Sequence, residues 1–186
     1  MAFWSDVTTE PKRQFRWYFI LGGGTAAPNE KIETYAIKTV KKPSFSISEV
    51  PHQYVAHTFY YPGRVTWNPV DITFVDPVAP DHSAVISNLF VRAGYTPPRE
   101  QTLAETSLSK SKFVASVGTP VITQIDADGN DIERWTLNNA FFTSIDYGQL
   151  DYGSEEMVIN SVTIRYDYAT QEIMPLSPSE VPSLLT

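Results

Sequence analysis

The side chains best equipped for chemistry are thinly spread in this sequence. His52 and His57 stand five residues apart in a stretch that reads as strand. An odd separation on one strand sends side chains to opposite faces, so the two cannot share a metal unless the strand bulges. His82 has no His or Glu partner at ligand spacing. Asp126, Asp128 and Asn130 imitate the opening of an EF-hand calcium loop, but position six is Asp131 instead of Gly and position twelve is Leu137 instead of Glu. Both the sharp bend and the bidentate ligand are therefore missing, and a hairpin turn is the simpler reading. Glu155 and Glu156 are sequence neighbours, which on a strand places them on opposite faces, not facing one another as an acid–base pair. Gly22-Gly23-Gly24 lacks the Lys-Ser/Thr pair of a phosphate-binding loop, so it reads as a turn. No Gly-x-Ser-x-Gly elbow occurs, and the absence of Cys removes thiolate metal sites, Cys nucleophiles and disulfides together. The expectation is a non-enzyme with no catalytic residue, no metal and no cofactor.

Elements must then carry the function. The chain has 186 residues, 42% of them hydrophobic and 19% charged, a globular composition. A single domain of this length buries roughly 70% of its unfolded surface, enough to fold without a disulfide or metal. No apolar run reaches the length of a membrane span, and Met1 to Asp6 lacks the order of a signal peptide, so a soluble, unexported chain is expected. Charge is uneven: residues 1–125 carry 12 basic and 10 acidic side chains, net +2, and residues 126–186 carry 2 and 11, net −9. The C-terminal third is thus ill suited to gripping phosphate backbones.

Patterning predicts mostly strands. Gln14 to Leu21 is an apolar, aromatic run closed by the three glycines; Glu33 to Val40 and Ser44 to Val50 follow, with Phe45 and Ile47 alternating with serines. Gln53 to Tyr61 stops at Pro62-Gly63 and continues at Arg64 to Thr66, which suggests an excursion with a Pro-Gly tip. Val70 to Val75 is a further strand. One helix is expected, capped by Asp76 or Asp81, with Val85, Leu89 and Ala93 four residues apart and Gly94 after it. Arg99 to Lys112 reads as a long connection. Val121 to Ile125 and Ile132 to Leu137 flank the Asp-Gly-Asn turn, Ala140 to Ile145 follows, and Glu155 to Tyr168 reads as one final strand. The Pro- and Ser-containing segment 170–186 is expected to be an extension to a single domain, 1–169.

The order of these elements resembles the tail tube proteins of contractile-tailed bacteriophages. The likeness is carried by Leu137 through Ile145-Asp146-Tyr147-Gly148-Gln149-Leu150-Asp151-Tyr152 into Val162-Thr163-Ile164-Arg165-Tyr166-Asp167-Tyr168. Phe15 to Leu21, the Lys41-Lys42-Pro43 step and Val70 to Phe74 add to it. The resemblance implies a mainly β fold, a barrel or two-sheet sandwich with one flanking helix, related to the haemolysin-coregulated protein of type VI secretion. It also implies hexameric rings stacked into a tube inside a contractile sheath, with sheath, baseplate and tail-terminator proteins as partners. Such a tube belongs to the virion tail, is assembled in the host cytoplasm, passes genome DNA and inserts no part of this chain into a membrane.

Two sets of residues are expected to serve such a role. The excursion carrying Val50, Tyr54, Phe59, Tyr60, Tyr61 and Arg64 holds more aromatic surface than an exposed loop should, which suits contact with a neighbouring subunit or ring. Packing on its own core is the alternative. Glu133, Asp146, Asp151 and Glu155 are candidates for an acidic lumen that leaves DNA mobile. Competing readings are a tube of a related bacteriocin or secretion system, a hydrolase on a β scaffold, and a carbohydrate-binding β-sandwich whose Trp17, Trp67 and Trp135 would form a stacking platform.

Overall fold

The structure, a computed structural model, describes residues 11–95 and 107–174. Eleven strands and two helices are found among them. These are β1 (Trp17–Gly22), β2 (Lys31–Ile32), β3 (Ile37–Val40), β4 (Phe45–Tyr54), β5 (His57–Trp67), β6 (Val70–Val75), α1 (His82–Arg92), α2 (Lys110–Val117), β7 (Val121–Ile125), β8 (Asp131–Asn138), β9 (Phe141–Asp146), β10 (Ile159–Arg165) and β11 (Tyr168–Ile173). A five-stranded sheet runs β11-β8-β7-β1-β2 and a four-stranded sheet runs β3-β6-β10-β9, while β4 and β5 form a separate two-stranded ribbon. Of the two expected forms, the sandwich is observed: the described strands do not close into a barrel.

Period-two alternation explains the core. Phe19 and Leu21 of β1, Ile72 and Phe74 of β6, and Val162 and Ile164 of β10 all point between the sheets and are buried. Each contributes roughly 1.5–3 kcal/mol by leaving water. Ile86 and Leu89 of α1, with Ala93 at its C-cap, close one side of this core. Both predicted caps act on that helix: Asp81 accepts from the Ala84 amide at 2.8 Å, and Asp76 accepts from the His82 and Ser83 amides at 3.1 and 3.2 Å.

Several expectations are corrected. A second helix, α2, occupies the end of the stretch read as a connection. It is short, so only Phe113, Ser116 and Val117 mark its buried side, and Ser109 caps it by accepting from the Lys112 amide at 3.2 Å. The first part of that stretch, Arg99 to Thr106, lies outside the described residues. The final strand is two: β10 pairs with β6 and β9, then Tyr166 and Asp167 carry the chain across so that β11 pairs with β8 in the other sheet. Gln171 to Ile173, expected in the irregular extension, are therefore the end of a paired strand. The triple glycine is a structural turn, because a Cβ on Gly24 would sit 2.3 Å from the Ala115 carbonyl oxygen of α2.

The tip of the excursion also moves. Tyr54 pairs with His57 across Val55-Ala56, so the turn lies there, and Pro62-Gly63 sits inside β5. The register slips between Ile47 and Glu49, giving a bulge at which Ser48 Oγ accepts from the Arg64 amide at 2.9 Å. A Cβ on Gly63 would lie 2.3 Å from that Oγ, which is why glycine stands at the bulge.

Candidate assembly surfaces

The β4–β5 ribbon projects from the sandwich. All ten residues of β4 and ten of the eleven in β5 are exposed; only Trp67 at the base is half-buried, against Phe45 and Tyr166. Among the described residues, the excursion does not pack on the core. The register places Val50, His52, Tyr54, His57, Phe59 and Tyr61 on one face, with His52 against Tyr61 and His57 against Phe59 in edge contacts. Tyr60 lies on the other face and Arg64 at the bulge. The two histidines share a face because the turn falls between them, contrary to the single-strand reading. Among the described residues, no three His, Cys, Asp or Glu side chains come together as a metal site.

The outward face of the four-stranded sheet has a different chemistry. Cross-strand registers align Thr39, Thr73, Ser161 and Asp146 in one row and Asp71, Thr163 and Ser144 in the next. Thr163 Oγ1 donates to Asp71 Oδ1 at 2.8 Å, and the hydroxyls of Thr39 and Thr73 bond to each other. This is a hydroxyl surface with two carboxylates, and Arg165 stands at one end opposite Phe141.

The four acidic candidates separate in space. Asp146 is on that sheet face, while Asp151 and Glu155 are exposed in the β9–β10 loop. Glu133 is a correction: it points between the sheets, only 4% exposed. Its carboxylate is taken by Lys12, by Lys42 at 2.8 Å and by the Trp135 indole N–H. Burial pushes this carboxyl upward, but the three donors and the Lys42 charge outweigh burial and hold it at about 2. A charge so engaged is not offered to solvent or to a passing ligand.

The three tryptophans do not form one platform, since Trp67 packs at the ribbon base apart from Trp17 and Trp135. Trp17, Trp67 and Trp135 are half-buried and pack against the core cluster. His82, Ser83 and Asp76 bring together the residue types of a nucleophilic triad, but in the wrong geometry. The Ser83 hydroxyl donates to Asp76, and His82 Nε2 is buried with no partner while its ring edges against Phe74. Without a hydroxyl-to-imidazole bond the group is a helix cap. Burial raises the Asp76 carboxyl, and the bonds from Ser83, Asn160 and His82 more than offset it, leaving it below the usual carboxylate range.

The described strands thus pair antiparallel throughout, with the aromatic ribbon standing apart from both sheets. Residues 107–170 match the family model of the T4-like virus tail tube protein gp19. That span covers α2 and the strands from β7 to the start of β11, where the sequence resemblance was strongest. No curated protein matches the chain by sequence. Among solved structures, a chain of the anti-feeding prophage baseplate, symmetrised six-fold, is similar with a TM-score of 0.65 and 17% identity over 91% of this chain and 100% of that one. A chain of the sheath–tube complex of the extracellular contractile injection system PVC, in its extended state, is similar with a TM-score of 0.63 and 15% identity, covering 94% and 99%. The tail tube of SPP1 gives 0.56 and 13%, covering 91% and 84%. The chain thus has the fold shared by tail tubes of phages and contractile injection systems, and the resemblance read from its sequence is borne out.

Within this tail tube fold, two features escaped sequence reading. The outward hydroxyl rows come from four strands distant in sequence, so no local pattern announces them. The Glu133 hub joins residues 91 and 121 positions apart; only the rarity of a Glu at an inward strand position hinted at it.

Proposed function

We propose that this chain is a structural subunit of a phage tail tube or of a closely related contractile injection tube, with copies closing into hexameric rings that stack into a hollow conduit. The observation carrying this reading is the β4–β5 ribbon, whose aromatic face is exposed and packs on neither sheet among the described residues. A separate ribbon of this length is marginal in water, and burial of each Tyr or Phe against a second copy supplies roughly 1.5–3 kcal/mol. In the assembly Val50, Tyr54, Phe59 and Tyr61 contact the neighbour with one face, and Tyr60 and Arg64 flank it.

The hydroxyl rows suit the wall of the conduit. Thr and Ser present a wettable surface, and Asp71 and Asp146 repel phosphate, so a polyanion moves without being held. In this reading Asp146 and Asp71 are the acidic lumen residues of that face. Genome DNA is the cargo in the phage reading, the tube lies in the virion tail after assembly in the host cytoplasm, and sheath, baseplate and terminator proteins are its partners. The likeness to chains of the anti-feeding prophage and PVC particles supports the second reading, a tube of an injection system that is not a phage.

Negative-stain microscopy of the purified chain across a concentration series tests the proposal. Rings or tubes whose abundance rises with concentration are expected; a monomer at every concentration, by sedimentation as well as by imaging, would refute it.

A further inference from the structure

The β9–β10 loop contains the same three residues twice, Asp146-Tyr147-Gly148 and Asp151-Tyr152-Gly153. In each, the Asp Oδ1 accepts from the Gly amide, at 3.0 and 2.9 Å, so both are compact turns that present a tyrosine. The first tyrosine anchors the loop, its hydroxyl bonded to Ser87 of α1 at 2.8 Å. The second, Tyr152, is wholly exposed, as are most of Leu150 (83%) and Met157 (69%). Asp151, Glu155 and Glu156 surround them, and residues 146–158 contain no Lys or Arg. An ordered loop that holds three large apolar side chains in water beside a block of negative charge has the composition of a contact surface.

Its complement lies beside β3, at the opposite border of the four-stranded sheet, where that edge faces β1, β7 and β8 of the five-stranded sheet. A cleft of about 510 Å³ opens beside β3, with Trp17, Trp135 and Ile122 as apolar walls and Lys12, Lys38 and Lys42 at the rim. Lys12 and Lys42 neutralise Glu133 beneath, whereas Lys38 is exposed and has no hydrogen bond or ion pair among the described residues. Residues 38–42 add Lys41 and contain no acid. Because the sheet order is β3-β6-β10-β9, cleft and loop sit on its two outer edges and cannot meet within one protomer.

We infer that the acidic, aromatic loop 147–157 of one copy docks in the Lys38–Trp17–Trp135 cleft of the next copy, making a head-to-tail contact that propagates around the ring. This rests on the tube-subunit reading and specifies how its copies join. Two different patches meeting in one sense is a heterologous interface, which closes into a ring when the rotation per copy allows. Charge sets the register of the contact, and Tyr152 and Leu150 against the indoles supply the apolar burial.

Charge reversal of the full chain tests it, with assembly read by sedimentation and microscopy. Lys38→Glu leaves the Glu133 hub intact, and Glu155→Lys with Glu156→Lys leaves both tight turns intact. Each variant alone is expected to raise the concentration needed for rings at least tenfold. Mixed one to one, the two variants can alternate around a ring, so assembly should return to near the wild-type concentration. Variants that assemble like the wild type, or a mixture that stays as defective as its components, would overturn the loop–cleft contact and leave the tube reading standing. A wild-type chain that never assembles would overturn both.

Discussion

Glu133 is the residue whose placement most constrains the protomer. Lys12 precedes β1, Lys42 follows β3 and Trp135 lies on β8, so one carboxylate ties both sheets and the incoming N-terminal segment together. Removing one member of a buried ion cluster leaves the rest uncompensated, and Glu133→Gln should cost about 2–3 kcal/mol, seen as a lower urea midpoint with an unchanged slope. The pH dependence has a definite sign. The folded-state value of about 2 lies below the ordinary 4.5, so the stabilisation is fully present above pH 4.5 and is lost as pH falls toward 2. That shift corresponds to roughly 3 kcal/mol. Urea titrations of the wild type and Glu133→Gln between pH 6 and pH 2 should therefore converge at the acid end; a constant gap across this range would rule out the carboxylate's charge as the cause.

The ribbon, taken as an element, separates what the sequence displayed from what it concealed. Alternation over Ser44 to Val50 and the density of aromatics through Tyr61 were enough to predict an excursion and to name its contact residues. Pro62-Gly63 misled, because the dipeptide that usually turns a chain here relieves a bulge opposite Ser48. The actual turn, Val55-Ala56, carries no turn signal: Val55 takes a φ of 53° that β-branched residues avoid, and its side chain is 93% exposed. Helix α2 was hidden for the opposite reason, since eight residues give its apolar side only two large positions, Phe113 and Val117. The core of α1 and the strands β6 and β10 were legible because each repeats its apolar residues at a clear period, and β1 because it is an apolar run closed by glycines. Where the sequence deviated from local rules, at Val55, the deviation falls on the part expected to meet another copy. Tyr54→Asp with Phe59→Asp places two charges on the aromatic face while leaving the sandwich untouched. Far-ultraviolet circular dichroism and the melting temperature should hardly change, whereas the concentration for tube growth should rise on the order of a hundredfold, given about 1.4 kcal/mol per tenfold change. Growth at the wild-type concentration would show that this face is not a contact.

At the scale of the whole molecule, three surfaces have three chemistries: an aromatic ribbon, a sheet face of hydroxyls and carboxylates, and two oppositely charged borders. In the proposed tube these surfaces have separate tasks: stacking, lining the channel and joining side to side. Under the proposed tube reading the lining is the most consequential of the three, because any property of one protomer's inward face would be repeated at every position along the conduit. Weak attraction at one lysine, about 1 kcal/mol or less, is negligible on a monomer but accumulates over many contacts to one polymer. Asp71→Lys with Ser144→Lys reverses the charge of the hydroxyl rows without touching the ribbon or either tight turn of the β9–β10 loop. Tubes of this variant should retain linear DNA on pelleting at 50 mM salt and release most of it at 200 mM, the steep dependence expected when lysines displace counterions from phosphates. Wild-type tubes should retain little DNA at either salt. If the variant tubes form normally and still pellet without DNA, the four-stranded sheet does not face the channel, and the lining must be sought on the outward side of the β11-β8-β7-β1-β2 sheet.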